Sequence, residues 1–218
     1  MARFALIPAS PVLLDGVDRL ETPRLAGLRA SIEDVLRTSP RWSLPVADLP
    51  PLAGLGGYGI DRGIDTRSGE LLVGDDWIEA VGDLGDDERA AAESAHPGIG
   101  ITLLHAHAAG VSVGALADSG DLIIPLDLSA AAGEDSPLAP VPGATAFDAA
   151  VIEALGAADV PALLDLIAGA ADVHADLTLL HAALNHLGER PDRVFDLEKI
   201  VFDEDVHDVR SLCGTGRC

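Results

Sequence analysis

The chain has 218 residues, with 36 acidic side chains against 14 basic ones and a formal charge of −22. Such a surface repels phosphate backbones and anionic lipid heads, which argues against nucleic-acid and membrane-surface partners. Hydrophobic residues make up 48% and aromatic residues only 3%, so the core must be built from Ala, Leu, Val and Ile. Length and apolar content together predict one α/β domain over 1–218, with about 203–218 also readable as a flexible, acidic, cysteine-containing tail.

Cys213 and Cys218 are the only cysteines, too few and too close for a disulfide framework. The cytoplasm is the expected compartment, where two free thiols are the default, although the short loop between them would let them meet. The apolar run Phe4–Ile7, cut by Pro8, is too short for a signal-peptide core and reads as a buried strand. No apolar run approaches the roughly 18–20 residues of a membrane span. A single lysine, Lys199, and abundant alanine suggest a GC-rich bacterial genome.

After the first strand comes the loop Pro8-Ala9-Ser10-Pro11. Thr22-Pro23 supplies an N-cap and a proline at the first helical position. Leu25, Leu28, Ile32, Val35 and Leu36 then line one helix face. A weaker strand is expected over 43–46. The Gly- and Pro-rich stretch 49–74 reads as a long loop with one short strand at 70–73. Residues 86–95 predict a helix with acidic residues in its first turn.

Two apolar runs, 100–104 leading into His105-Ala106-His107 and 122–128, predict central strands covered on both faces. Residues 133–143 form an acidic, Pro-rich loop. Three helices follow: 146–155, one opened by Asp159-Val160-Pro161, and one carrying Val173, Leu177, Leu180, Leu184 and Leu187. A last strand is expected over 199–202. The predicted architecture is a three-layer α/β sandwich with a mixed, mostly parallel central sheet and a C-terminal helical segment.

Three stretches, in order, resemble the superfamily of class III extradiol ring-opening (ring-cleavage) dioxygenases, whose shorter actinobacterial members are the nearest likeness. They are Phe4-Ala5-Leu6-Ile7-Pro8-Ala9-Ser10-Pro11 with its following leucines, Leu122–Leu128 ending in Asp127-Leu128-Ser129, and the helix opened by Phe147-Asp148. The resemblance implies a ferrous ion held by two histidines and a carboxylate, with a further histidine for proton transfer. It would place the first ligand histidine where Ala9 stands, and the chain has no histidine before His96. A methyl group cannot coordinate a metal, so the resemblance points to a degenerate site with no cofactor.

His105 and His107 are the best remaining pair. On a strand, residues i and i+2 share a face, so both imidazoles would meet one metal, although no third ligand is local. The alternative is two solvated or hydrogen-bonded side chains at a strand end. His174, His181 and Asn185 fall near one face of the last helix. The run Gly54-Leu55-Gly56-Gly57-Tyr58-Gly59 lacks the strand–helix context and lysine of a phosphate loop, but Tyr58 could line a pocket. Asp127 and Ser129 either cap a turn or face a ligand.

The cleft candidates are therefore Ala9, Ser10, Tyr58, His105, His107, Asp127 and Ser129. The expected role is noncatalytic binding of a small molecule or a protein, with a homo-oligomer compatible with the sequence. A metal-dependent enzyme using His105 and His107, either an aromatic ring-opening dioxygenase or a variant with a relocated metal, is the rival reading.

Overall fold

A computed structural model describes residues 2–19, 22–116, 119–189 and 195–218. The strands run in chain order as β1 (Arg3–Pro8), β2 (Arg41–Ser43), β3 (Leu52–Gly54), β4 (Arg62–Asp65), β5 (Glu70–Val73), β6 (Ser112–Gly114), β7 (Leu122–Leu126), β8 (Asp196–Val206) and β9 (Val209–Arg217). The helices are α1 (Pro23–Leu36), α2 (Asp75–Gly82), α3 (Asp86–Ser94), α4 (Pro97–Ala109), α5 (Ala144–Gly156), α6 (Val160–Gly169) and α7 (Thr178–Gly188). The chain is α/β, with a mixed sheet, a second small sheet and a C-terminal run of helices, as its sequence predicts. Among the described residues no helix is long and apolar enough to cross a membrane.

The fold divides into two compact units. The first contains residues 1–8 and 120–218, and the second contains residues 9–119. In the first, four strands lie in the order β7-β1-β9-β8. β1 and β7 pair in parallel, Phe4 opposite Leu122 through Pro8 opposite Leu126, while β9 runs antiparallel to both β1 and β8. The continuous apolar runs of β1 and β7 are buried, as strands covered on both faces should be.

The expectation of a flexible tail over 203–218 is overturned, because most of that stretch forms the β8–β9 hairpin. His207 and Asp208 both adopt left-handed backbone, φ 51° and 54°, which the two-residue turn between Val206 and Val209 requires. Gly216 is the one residue β9 can place against Phe4, since a β-carbon there would stand 2.5 Å from the ring's Cε1. Phe4 in turn stacks on Phe195 with centroids 4.5 Å apart. Cys213 and Cys218 are both buried, and neither is in a disulfide. Extended backbone holds them roughly 16 Å apart, well beyond disulfide reach, so the loop that would let them meet does not exist. Burial pushes the Cys213 thiol up to about 12.

The C-terminal helices follow the sequence with one exception. Asp159 caps α6 by accepting from the Ala162 N–H at 3.0 Å. The long last helix expected from Val173 onward is interrupted: residues 170–173 form a 3₁₀ turn, His174 is left-handed at φ 54°, and α7 begins only at Thr178. His174 therefore shares no helix face with His181 and Asn185.

In the second unit, Thr22 accepts from the Leu25 N–H at 3.2 Å, and α1 buries the predicted stripe. β2 centres on Trp42, whose indole N–H donates to Leu36 O at 2.8 Å, and pairs in parallel with β6. The strand expected over 43–46 thus lies two residues earlier. The strand expected over 70–73 is β5, but the stretch 49–74 as a whole is not a long loop. It forms the antiparallel sheet β3-β4-β5, short strands joined by glycine turns that too few alternating residues marked in advance.

The largest correction concerns 100–107, which is helix and not strand. His96 caps α4 by accepting from the Gly98 N–H at 2.9 Å, Pro97 occupies the first turn, and Gly110 closes it in left-handed conformation at φ 72°. The run is apolar because almost every residue of α4 is buried, and a helix buried all round carries no amphipathic period.

Candidate functional site

The second unit carries a cavity of about 650 Å³ lined by β3, the turn that follows it, α2 and α3. Its floor is Trp77, brought by α2 onto strand glycines. A β-carbon on Gly54 would stand 2.8 Å from the indole Cη2, and one on Gly63 would stand 2.6 Å from the same atom. These glycines let a large ring lie flat against backbone, which no side-chain-bearing residue would allow. Gly100 performs the same service for α4, whose approach brings a β-carbon position within 2.8 Å of Gly54 N and O.

Tyr58, Ile78, Val81 and Leu84 add apolar walls, and Asp61, Arg89 and Glu93 supply the polar groups. Tyr58 and Ile78 remain 46% and 54% exposed although both are large and hydrophobic. Leu52, Trp77 and Leu84 form a small core of their own beneath them. The volume and the few convergent polar groups match those of small-molecule sites. The Gly54–Gly59 run that frames it holds no phosphate-loop geometry, being strand end, 3₁₀ turn and a left-handed Gly59.

Of the predicted cleft residues only Tyr58 lines this cavity. Ala9 is buried just past β1, and Ser10 precedes a 3₁₀ turn at 11–13 without capping it through its side chain. His105 is 2% exposed on α4, whereas His107 is exposed. On a helix, positions i and i+2 point about 200° apart, so the two imidazoles cannot meet one metal. The shared-face argument for them fails with the strand it assumed. His105 also ends no strand, so it does not belong to the expected row of strand ends.

The surroundings of His105 are hostile to a cation. Burial, and then Arg29 and Arg62 nearby, hold its pKa down to about 3, so the ring is neutral. Its Nε2 has no hydrogen-bond partner, nor has the Oγ1 of buried Thr102. Arg29 lies 3.6 Å from the Asp15 carboxylate, and Arg62 donates to Asp15 O at 2.6 Å. Among the described residues no three His, Cys, Asp or Glu side chains converge as a metal centre. The residues present do not fit the ferrous ion that the resemblance implies.

Asp127 and Ser129 belong to the first unit. Ser129 is fully buried and structural: its hydroxyl donates to Val173 O and accepts from the Ala131 N–H, and its own N–H donates to Asp148 Oδ1 at 3.0 Å. Asp127 pairs with Asp176 through an isolated antiparallel bridge, the Asp176 N–H donating to Asp127 O at 2.9 Å. Burial, with Asp176 and Asp148 nearby, raises the Asp127 carboxyl to about 7.

Sequence reasoning missed Trp77 and Arg89. The signal for Trp77 was Gly74-Asp75-Asp76-Trp77, a helix start with acidic residues in its first turn, where Asp75 and Asp76 now open α2. Compared with known proteins, the chain matches no family model, and a search of curated proteins returns no match.

Proposed function

We propose that this chain binds an apolar, ring-sized small molecule in the Trp77–Tyr58 cavity without transforming it, on a scaffold like that of the ring-opening dioxygenases. The observation that carries the reading is the cavity itself: about 650 Å³, floored by an indole and rimmed by exposed Tyr58 and Ile78. A flat ring stacked on Trp77 would recover the apolar burial that both rim residues forgo. The noncatalytic part rests on the side chains elsewhere: a methyl at Ala9, a neutral buried His105, and His107 turned away from it.

Calorimetric titration with 2-naphthol tests this. Binding at one site per chain is expected, and Ala92→Phe, which fills the cavity, should abolish it while leaving the melting temperature within a few degrees. Equal binding by Ala92→Phe would place the ligand elsewhere.

A further inference from the structure

A second cavity, of about 290 Å³, lies wholly in the first unit, where α5 meets the β8–β9 hairpin. Its lining is dominated by charge: Asp148, Asp203, Asp205 and Asp208 against a single arginine, Arg210. The apolar cavity of the second unit shares none of these residues.

Asp203 and Asp208 have work inside the fold. Arg210 is committed to Asp203, its Nε donating to Oδ1 and its Nη2 to Oδ2, both at 2.7 Å. Asp208 packs where a side chain on Gly133 would stand, and its Oδ2 accepts from the Asp135 N–H at 2.9 Å. Ser136 then donates to Asp208 O, also at 2.9 Å, so the 133–136 loop is fastened to the hairpin turn.

Asp148 differs. It is 1% exposed, and its Oδ1 accepts from the Ser129 N–H, but its Oδ2 is buried with no partner although the residue lines the cavity. A buried carboxylate oxygen without a donor costs desolvation that nothing in the fold returns. Arg210, whose charge acts on Asp148, is held by Asp203 and does not hydrogen-bond to that oxygen.

We infer that this cavity is a binding site for a small organic cation whose N–H groups, an ammonium or a guanidinium, donate to Asp148 Oδ2 beneath Asp205 and Asp208. A metal ion fits less well, because among the described residues no three carboxylates converge closely enough to coordinate one. An N–H donor satisfies the orphan oxygen directionally, and the surrounding aspartates supply the field that concentrates cations there.

The test is a titration of the full chain with 1,4-diaminobutane and, separately, methylguanidine, followed by amide NMR. Saturable shifts at Gly133, Thr145 and Arg210 are expected. Asp148→Asn keeps an acceptor for Ser129 but removes the charge, and should weaken binding roughly ten- to hundredfold. Asp205→Asn, on the exposed edge of β8, should also weaken it and serves if Asp148→Asn does not fold. Asp165→Asn, an exposed carboxylate on α6, should leave binding unchanged. Non-saturable shifts spread over the acidic surface, or equal affinity in Asp148→Asn and Asp165→Asn, would overturn the site. Magnesium competing at the same concentration as the diamine would also overturn it, since charge alone would then account for binding.

Discussion

The indole of Trp77 lies on Gly63 so closely that a β-carbon there would stand 2.6 Å from its Cη2 and 2.7 Å from Ala53 O. One obstruction is a side chain and the other is backbone, so the strand cannot relieve both by a rotamer change. Gly63→Ala should therefore cost about 1–3 kcal/mol of stability and weaken ligand binding in the adjoining cavity. Urea denaturation of the variant against the parent measures the first effect, and a stability equal to the parent's would show that Trp77 is free to move.

The two perturbed groups predict opposite pH dependences. His105 is held at about 3 in the fold, below its ordinary 6.5, so the unfolded chain binds the proton more readily. Its contribution is present above pH 6.5 and falls as pH drops toward 3, on the order of 1 kcal/mol per pH unit. Asp127, raised to about 7, favours the fold while protonated, and that contribution is lost as pH rises from about 4 through 7. His105→Leu should flatten the acid limb, and Asp127→Asn the limb below neutrality. An imidazole of His105 that titrates near pH 6.5 by NMR would refute the first statement.

How far these features were legible depended on periodicity. The strand read at Phe4–Ile7, helix α1 and its Thr22 cap, and the Asp159 cap of α6 all carried their own local signals and form where they were read. Helix α4 misled because an apolar run buried on every side reads equally as strand or helix. Its markers were at the ends, His96-Pro97 and Gly110, and its length exceeded a strand's. Of the small sheet, β5 was read as a strand, but β3 and β4 were hidden by their own chemistry, since the glycines that seat Trp77 are the residues that mark loops. Asp148 could not be recognised as an unsatisfied carboxylate, because that depends on Ser129 and Arg210, 19 and 62 positions away in the chain.

Restoring a histidine at the turn after β1 should not restore a metal. Ala9→His adds one imidazole, while His105 stays neutral, buried and opposed by two arginines, and His107 faces the other way. Anaerobic titration of the variant with Fe(II) should show no tight equivalent, since one imidazole cannot complete a three-ligand site. Stoichiometric iron in that variant, with ring opening of any catechol, would mean that the ligand set lies in residues assigned other roles.

The claim that the Trp77–Tyr58 cavity receives a ring-sized molecule is tested most directly by amide and indole NMR during titration with 2-naphthol. The account predicts saturable shifts at Gly54, Gly56, Gly57, Tyr58 and the Trp77 indole N–H, while the Trp42 indole, fully buried and bonded to Leu36 O, stays still. Shifts absent from these positions, or concentrated instead around Asp127 and Asp176, would contradict it.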